Sequence, residues 1–183
     1  MKKIFIVVFA IFCLLFLRFS YHKLIGLDPR EMILGEVIKE TNQKLKAKYH
    51  VNLASVGRSH KDLKIKSITI DFNRFLGPVS KEEGRQIIVD CVEEYIKAIN
   101  QKESLRPFLF DYPFSEKDVV VMMTHWNKDK SMLSHPDIAT ICKFYSEIVY
   151  YTIEPGNIYK YQTETKETYE EAKSLIKKIT PRD

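Results

Sequence analysis

The sequence predicts an α+β fold, in which a mostly antiparallel sheet of about five to six strands carries packed helices behind an N-terminal hydrophobic helix. Three helix-start signals are each followed by apolar residues at helical spacing. Between them lie β-branched and aromatic runs that short turn signals separate. Strands joined by short turns favour an antiparallel sheet with helices packed on it. We therefore expect one α+β domain over residues 28–180.

Residues 1–20 are predicted to be a signal peptide or an N-terminal membrane anchor. Lys2 and Lys3 precede an unbroken apolar run from Ile4 to Leu17, which Arg18 closes. A basic start before fourteen apolar residues is typical of an export signal. As a helix the run would span about 21 Å of a hydrocarbon core of roughly 30 Å, which is short for an anchor. No cleavage motif of small residues follows the run, and this favours an uncleaved anchor over a cleaved signal.

The protein is therefore expected to be membrane-anchored through residues 1–20 with its domain exported, or to be secreted or periplasmic. Basic residues on the two sides of the run are nearly balanced, so the positive-inside rule favours export of the domain only narrowly. Two alternatives stay open. The domain is tethered on the cytoplasmic side in one, and residues 1–20 form a buried helix of a cytosolic protein in the other.

The charge balance argues against nucleic acid as a partner. Three of the 29 basic residues, but none of the 24 acidic residues, lie in residues 1–20. The remaining 26 basic and 24 acidic residues leave the domain close to neutral. Binding to a phosphate backbone depends on a basic excess, so no nucleic-acid partner is expected.

Capping signals predict where three helices begin. Asp28 followed by Pro29 begins a polar helix that ends near Lys48. Ser80 and Thr168 begin the second and third helices, each through a capping box. The expected core-facing stripe of the first helix comprises Met32, Val37, Ile38 and Leu45. The second helix has the clearest amphipathic pattern, with a stripe of Ile88, Cys91, Val92, Tyr95, Ile96 and Ile99.

Six extended segments are predicted, at residues 51–56, 64–72, 118–124, 138–144, 148–154 and 159–163. A polar turn at 58–62 separates the first two, and the apolar run of the third is typical of a strand covered on both faces. Residues 137–147 also fit helical spacing. A hairpin is preferred there because the next run is strongly β-prone and ends at a turn signal. The last segment is expected to be an edge strand.

An aromatic and proline-rich segment is the most distinctive local feature. Four aromatic residues and two prolines between Leu105 and Phe114 exclude a long regular helix or a central strand. Aromatic rings that share a surface can dock a partner peptide or a lipid. The candidate partner surface consists of Phe110, Tyr112, Phe114 and Trp126. The preferred interpretation is that the rings of this segment cover one end of the core, and docking is favoured if two or more rings lie on the surface together.

The cysteines outside the N-terminal segment are Cys91 and Cys142. Cys91 lies on the apolar stripe of its helix, where a thiol stays neutral, so a buried structural thiol is preferred. A disulfide between the two is the second interpretation, since export would permit it and the helix is expected to pack on the sheet. A Cys–His nucleophile pair is the least favoured, because it needs a thiolate next to a basic group.

No cofactor or metal is expected. Paired glutamates fall in capping boxes or on polar helix faces, and the sequence has no Gly-rich phosphate loop or serine elbow. One loop holds residues that could bind Zn²⁺ in principle, but their spacing matches no known ligand arrangement. These residues are His125, Asp129, His135 and Asp137.

Several stretches resemble a family of uncharacterised bacterial envelope proteins. They are Glu82–Glu94, Leu105–Leu109 and Tyr112–Phe114, and the helix start at Thr168–Ala172 is similar too. The resemblance implies a small α+β domain behind an N-terminal export signal, and it implies no known activity.

We expect a non-catalytic, envelope-associated domain whose work is binding or structural support. The alternative is an extracytoplasmic hydrolase with a site assembled from residues distant in sequence. A deep polar pocket that joins His125 or His135 to an acid or a thiol would favour the hydrolase. An exposed aromatic patch would favour binding.

Overall fold

Three helices pack on one face of a six-stranded sheet in the computed structural model, which describes residues 28–179. The helices are α1 (Pro29–Tyr49), α2 (Lys81–Gln101) and α3 (Tyr169–Ile179). The strands are β1 (Val51–Lys61), β2 (Lys64–Arg74), β3 (Val119–His125), β4 (Thr140–Phe144), β5 (Glu147–Glu154) and β6 (Asn157–Thr168). The predicted α+β class is confirmed. The hydrophobic segment at residues 1–20 lies outside the described residues.

The strands follow one another across the sheet in chain order, from β1 at one edge to β6 at the other. All neighbouring pairs are antiparallel except β2 and β3, which are parallel. A parallel pair needs a crossover, and here α2 and two 3-10 helices provide it. The 3-10 helices are Glu103–Phe108 and Glu116–Asp118. Within residues 28–179, no helix is both long and apolar enough to cross a bilayer.

The three predicted helix starts are confirmed, because each capping side chain accepts a backbone N–H of its first turn. The distance is 3.0 Å from the Arg30 nitrogen to Asp28 and 3.1 Å from the Glu83 nitrogen to Ser80. Thr168 and Glu171 cap each other reciprocally at the start of α3. These bonds satisfy amides that have no partner inside the helix.

One apolar cluster between the helices and the sheet forms the main core. The α2 stripe is buried as predicted, apart from the half-buried Ile96. The stripe of α1 is different, because Met32 is 44% exposed whereas Leu34 is fully buried. The inward face of α1 begins at Leu34 and continues at three- and four-residue steps, and Met32 lies two positions before it, on the other side of the helix.

Two strand predictions were wrong in detail. β1 continues to Lys61, so the turn is only Asp62 and Leu63, both at positive φ (52° and 61°), rather than residues 58–62. Such a two-residue turn matches the twist of a hairpin. β3 is covered on one face rather than both, and Met122 is 36% exposed. The helices of the described chain occupy only one face of the sheet. Where the other face meets the segment between β3 and β4, Leu133, Ala139 and Ile153 form a second, small buried cluster.

Candidate binding surface

The face of the sheet opposite the helices, here called the outer face, has a groove of about 410 Å³. The alternation of β-strands decides which side chains reach this face. Ile141 is in the helix-side core, so its neighbours Thr140 and Cys142 point to the outer face. The outer-face groove is lined by Met122, Thr124, Trp126, Met132, Thr140, Ile153, Ile158, Tyr159 and Tyr161.

Trp126 is held in place at one end of the outer-face groove. Its backbone N–H donates to the Arg74 carbonyl, and its indole Nε1 donates to the Asn73 side chain at 2.8 Å. The Phe75 ring stacks on it, with ring centroids 6.1 Å apart. The backbone of Trp126 also bridges to Met132, which brings a second apolar side chain to the groove. Trp126 is therefore fixed while part of its side chain remains exposed.

The facing wall of the outer-face groove carries apolar side chains in solvent. Tyr159 is 94% exposed, Tyr161 55% and Ile158 53%. Tyr161 stacks on Tyr151 of β5, with centroids 4.2 Å apart. Tyrosine combines a large apolar area with few rotatable bonds, so its ordering in a complex costs little entropy. This wall is suited to contact with another molecule.

The structure divides the four residues of the candidate partner surface. Phe114 is buried in the core at 2% exposure, and Tyr112 is 46% exposed. The backbone of Phe110 binds that of Ile65, near the start of β2, whereas Trp126 binds Arg74 at its end. Ile65 and Arg74 are nine positions apart along β2, which corresponds to about 30 Å. Trp126 is therefore at the opposite end of the sheet from the other three and shares its groove with tyrosines.

Sequence reasoning missed the tyrosines of this groove. Tyr159 and Tyr161 are two positions apart in a segment predicted to be an edge strand, and this spacing places both rings on one face of the strand. The pattern alone does not show which face of the sheet they join.

Both cysteines are free, and they lie on different sides of the sheet. Cys91 is fully buried in the core cluster below the helices, whereas Cys142 points to the outer face. The proposed disulfide is therefore not formed. Burial raises the pKa of both thiols, so neither is a thiolate near neutral pH.

The loop histidines are not brought together into a metal or catalytic site. His125 belongs to β3 and is fully buried rather than part of a polar loop. Burial, with the Arg74 charge, lowers its pKa to about 3. The His135 ring contacts the Thr152 hydroxyl at 3.2 Å, and Asp129 binds Ser131. Among residues 28–179, no three His, Cys, Asp or Glu side chains are grouped so that they could hold a metal ion.

Comparisons with known proteins identify no relative. No family model, no curated protein and no solved structure matches the chain. The resemblance to envelope proteins therefore stays a prediction.

Proposed function

We propose that this protein is a non-catalytic binding domain of the cell envelope, either anchored at the membrane through residues 1–20 or secreted. The outer-face groove carries the proposal, because it combines a fixed Trp126 with exposed tyrosines on a sheet face that no helix of residues 28–179 covers. The partner we propose is a polypeptide segment with apolar side chains that enters the groove.

The chemistry of the groove supports recognition by apolar contact rather than by charge. Its lining has two threonine hydroxyls and no ionised side chain. The cation nearest along β6, Lys160, is already paired with Glu154 at 3.0 Å. Aromatic and Met side chains are enriched in the centres of protein interfaces, where charged groups are depleted. We therefore expect binding to depend weakly on salt.

The hydrolase alternative has less support. It requires a histidine beside an acid or a thiol, in a pocket that substrate can enter. The His125 ring nitrogens are buried in the core and have no hydrogen-bond partner among residues 28–179. His135 contacts a threonine hydroxyl instead. No such pair is therefore present around either histidine in the described chain.

Site-specific photocrosslinking in cells tests the proposed surface. A photoreactive amino acid replaces Tyr159 in the groove or, as a control, Glu170, an exposed residue of α3. We expect one discrete adduct from position 159 that Tyr161→Ala weakens, and none from position 170. Equal adducts from both positions, or no adduct from position 159, would contradict the proposal.

Cell fractionation with N-terminal sequencing tests the location separately. An intact Met1 in the membrane fraction supports the anchor, and a new terminus just after residue 20 supports secretion. A full-length chain recovered entirely in the soluble cytosol would contradict the envelope assignment, whatever the crosslinking result.

A further inference from the structure

A second groove, of about 470 Å³, lies between α1 and the edge strand β1. We call it the edge groove; it is separate from the outer-face groove, with which it shares no residue. It is lined by Gly35, Ile38, Lys39, Asn42, Gln43, Lys46, Val51, Asn52 and Leu53. Only α1 and β1 contribute to it, so it runs along the edge of the sheet.

The strand side of the edge groove has backbone groups available for pairing. Within residues 28–179, β1 pairs with β2 alone, so its other edge has no strand partner. Val51 is buried in the core, and Leu53, two residues further on the same side of the strand, is 44% exposed. A strand added here would extend the sheet and cover Leu53, which offers both backbone and apolar contacts.

The helix side of the edge groove is shaped to admit side chains. Gly35, Ile38, Asn42 and Lys46 follow one another at three- and four-residue steps and therefore form one flank of α1. A Cβ atom added at Gly35 would meet no atom within 4 Å, so the groove is open at that point. The Asn42 amide oxygen accepts from the Tyr95 hydroxyl at 2.7 Å. Its amide nitrogen has no hydrogen-bond partner among the described residues.

The charge of the edge groove is positive. Lys39 and Lys46 line it, and neither ammonium group has a carboxylate partner within 4.0 Å in the described chain. The groove lining contains no Asp or Glu. Two unpaired cations beside an open strand edge select a ligand of negative charge.

We propose that the edge groove binds an extended acidic peptide, which adds to β1 as a further antiparallel or parallel strand. Its backbone pairs with the free edge of β1, and its alternate side chains lie against Gly35 and Ile38. Its carboxylates meet Lys39 and Lys46. An edge strand beside a helix is an established geometry for peptide recognition by strand addition.

Charge complementarity favours a separate acidic peptide over a segment of the same chain. Residues 1–27 contain no Asp or Glu, so they offer nothing to the two lysines. A second copy pairing through β6 would bring both lysines and glutamates, with no net charge over Asn157–Thr168. These two occupants are distinguished by the experiment below.

Fluorescence anisotropy with the full-length protein in detergent tests the proposal. The probe is a labelled, blocked peptide of alternating Val and Glu, compared with a peptide of alternating Val and Lys and with a Glu peptide that carries a central Pro. We expect saturable binding of the Val–Glu peptide that weakens as salt is added, and binding about tenfold weaker for the other two.

Variants of α1 locate the site. Gly35→Leu fills the groove, whereas Gly35→Ala leaves most of it open, and neither clashes with a neighbouring atom at Cβ. We expect Gly35→Leu and the double variant Lys39→Glu with Lys46→Glu each to weaken binding about tenfold. Lys44→Glu is the control, because Lys44 lies on the opposite flank of α1. This substitution changes the charge by the same amount as each of the two substitutions in the double variant.

Four results would overturn the proposal. The first is equal binding of the Glu and Lys peptides, and the second is binding unaffected by Gly35→Leu. The third is that the protein binds no peptide and sediments as a dimer, and that Gly35→Leu dissociates this dimer. That result would assign the groove to a second copy of the chain. The fourth is protection of residues 1–27 from protease that Gly35→Leu abolishes, which would assign the groove to the chain's own N-terminus. Loss of crosslinking at Tyr159 would leave this proposal unaffected, since that residue lines the other groove.

Discussion

Arg74 and His125 are register partners on the parallel strands β2 and β3, and both side chains are buried on the helix side. Arg74 donates through Nη2 to Glu83 at 2.7 Å. Its Nε and Nη1, and both His125 ring nitrogens, have no hydrogen-bond partner among residues 28–179. A buried polar group without a partner destabilises the fold, and a second positive charge beside Arg74 would add repulsion.

This arrangement predicts a loss of stability in acid. The His125 pKa falls from 6.5 to about 3 in the native state, so the unfolded chain binds more protons between these values. Stability therefore falls as the pH falls from 6.5 towards 3, by up to about 1.4 kcal/mol per pH unit. His125→Leu removes this proton uptake, and we expect its acid-unfolding midpoint to lie about one pH unit lower.

Circular dichroism during acid titration measures the midpoint. His50→Asn serves as the control, because His50 is exposed and adopts a left-handed conformation that Asn tolerates. We expect this variant to keep the wild-type midpoint. An unchanged midpoint in His125→Leu would show that His125 does not drive acid unfolding.

Gly84 of α2 packs directly on Ile141 of β4, which predicts a steric coupling. A Cβ atom at Gly84 would lie 2.4 Å from the Ile141 Cδ1 atom. We expect Gly84→Ala to destabilise the protein by about 1 kcal/mol or more, although Ala is the better helix former. In an Ile141→Val background, which lacks Cδ1, the same change should be stabilising.

Urea denaturation of the four chains in this cycle gives the coupling energy. Gly35→Ala is the matched control on a helix, since nothing lies within 4 Å of its added Cβ, and we expect a gain of up to about 1 kcal/mol. Additive effects of Gly84→Ala and Ile141→Val would contradict the contact.

Arg85 of α2 and Glu167 of the edge strand β6 form an ion pair that connects the two elements. Each side chain is 9% exposed, and the Arg85 Nε lies 2.9 Å from Glu167 Oε1. The Tyr150 hydroxyl also donates to Glu167. Removing either partner leaves the other charge buried, so Arg85→Met and Glu167→Gln are each expected to cost about 3 kcal/mol. Thermal unfolding measures the loss of stability in each variant. The double variant should lose much less stability than the two single variants added together.

The ion pair of exposed Lys160 and Glu154 is the control for that cycle. Both groups are solvated, so Lys160→Met should change stability by less than about 1 kcal/mol. Equal losses of stability at the two pairs would show that burial does not increase the contribution of the Arg85–Glu167 pair to stability.

The two thiols are expected to differ in access but not in oxidation state. Cys91 is fully buried, whereas Cys142 is half-buried on the outer face. In a Cys13→Ser background, alkylation under denaturing, non-reducing conditions should modify both residues. Under native conditions Cys142 should react slowly, because burial raises its pKa, and Cys91 should not react before unfolding. Recovery of a linked Cys91–Cys142 peptide by mass spectrometry would overturn the assignment.

Some of the fold follows from local sequence, and the candidate surface follows only in part. The capping residues Asp28, Ser80 and Thr168 each bond within three residues, so their helix starts were predictable. The full extent of β1 was not, because an exposed edge strand has polar residues that resemble a turn. Trp126 was identified as a surface candidate, but its separation from Phe114 depends on where the crossover between β2 and β3 places each segment.

The sequence by itself determined the class of fold, the order of helices and strands and the points where helices begin, because these depend on short-range hydrogen bonds and on periodicity. Only the tertiary structure decided which sheet face carries no helix, that Arg74 adjoins His125, and that α1 and β1 enclose the edge groove. Those features join residues far apart in the chain, or depend on how a helix lies against a strand. No local pattern encodes them, because they arise when distant elements pack together.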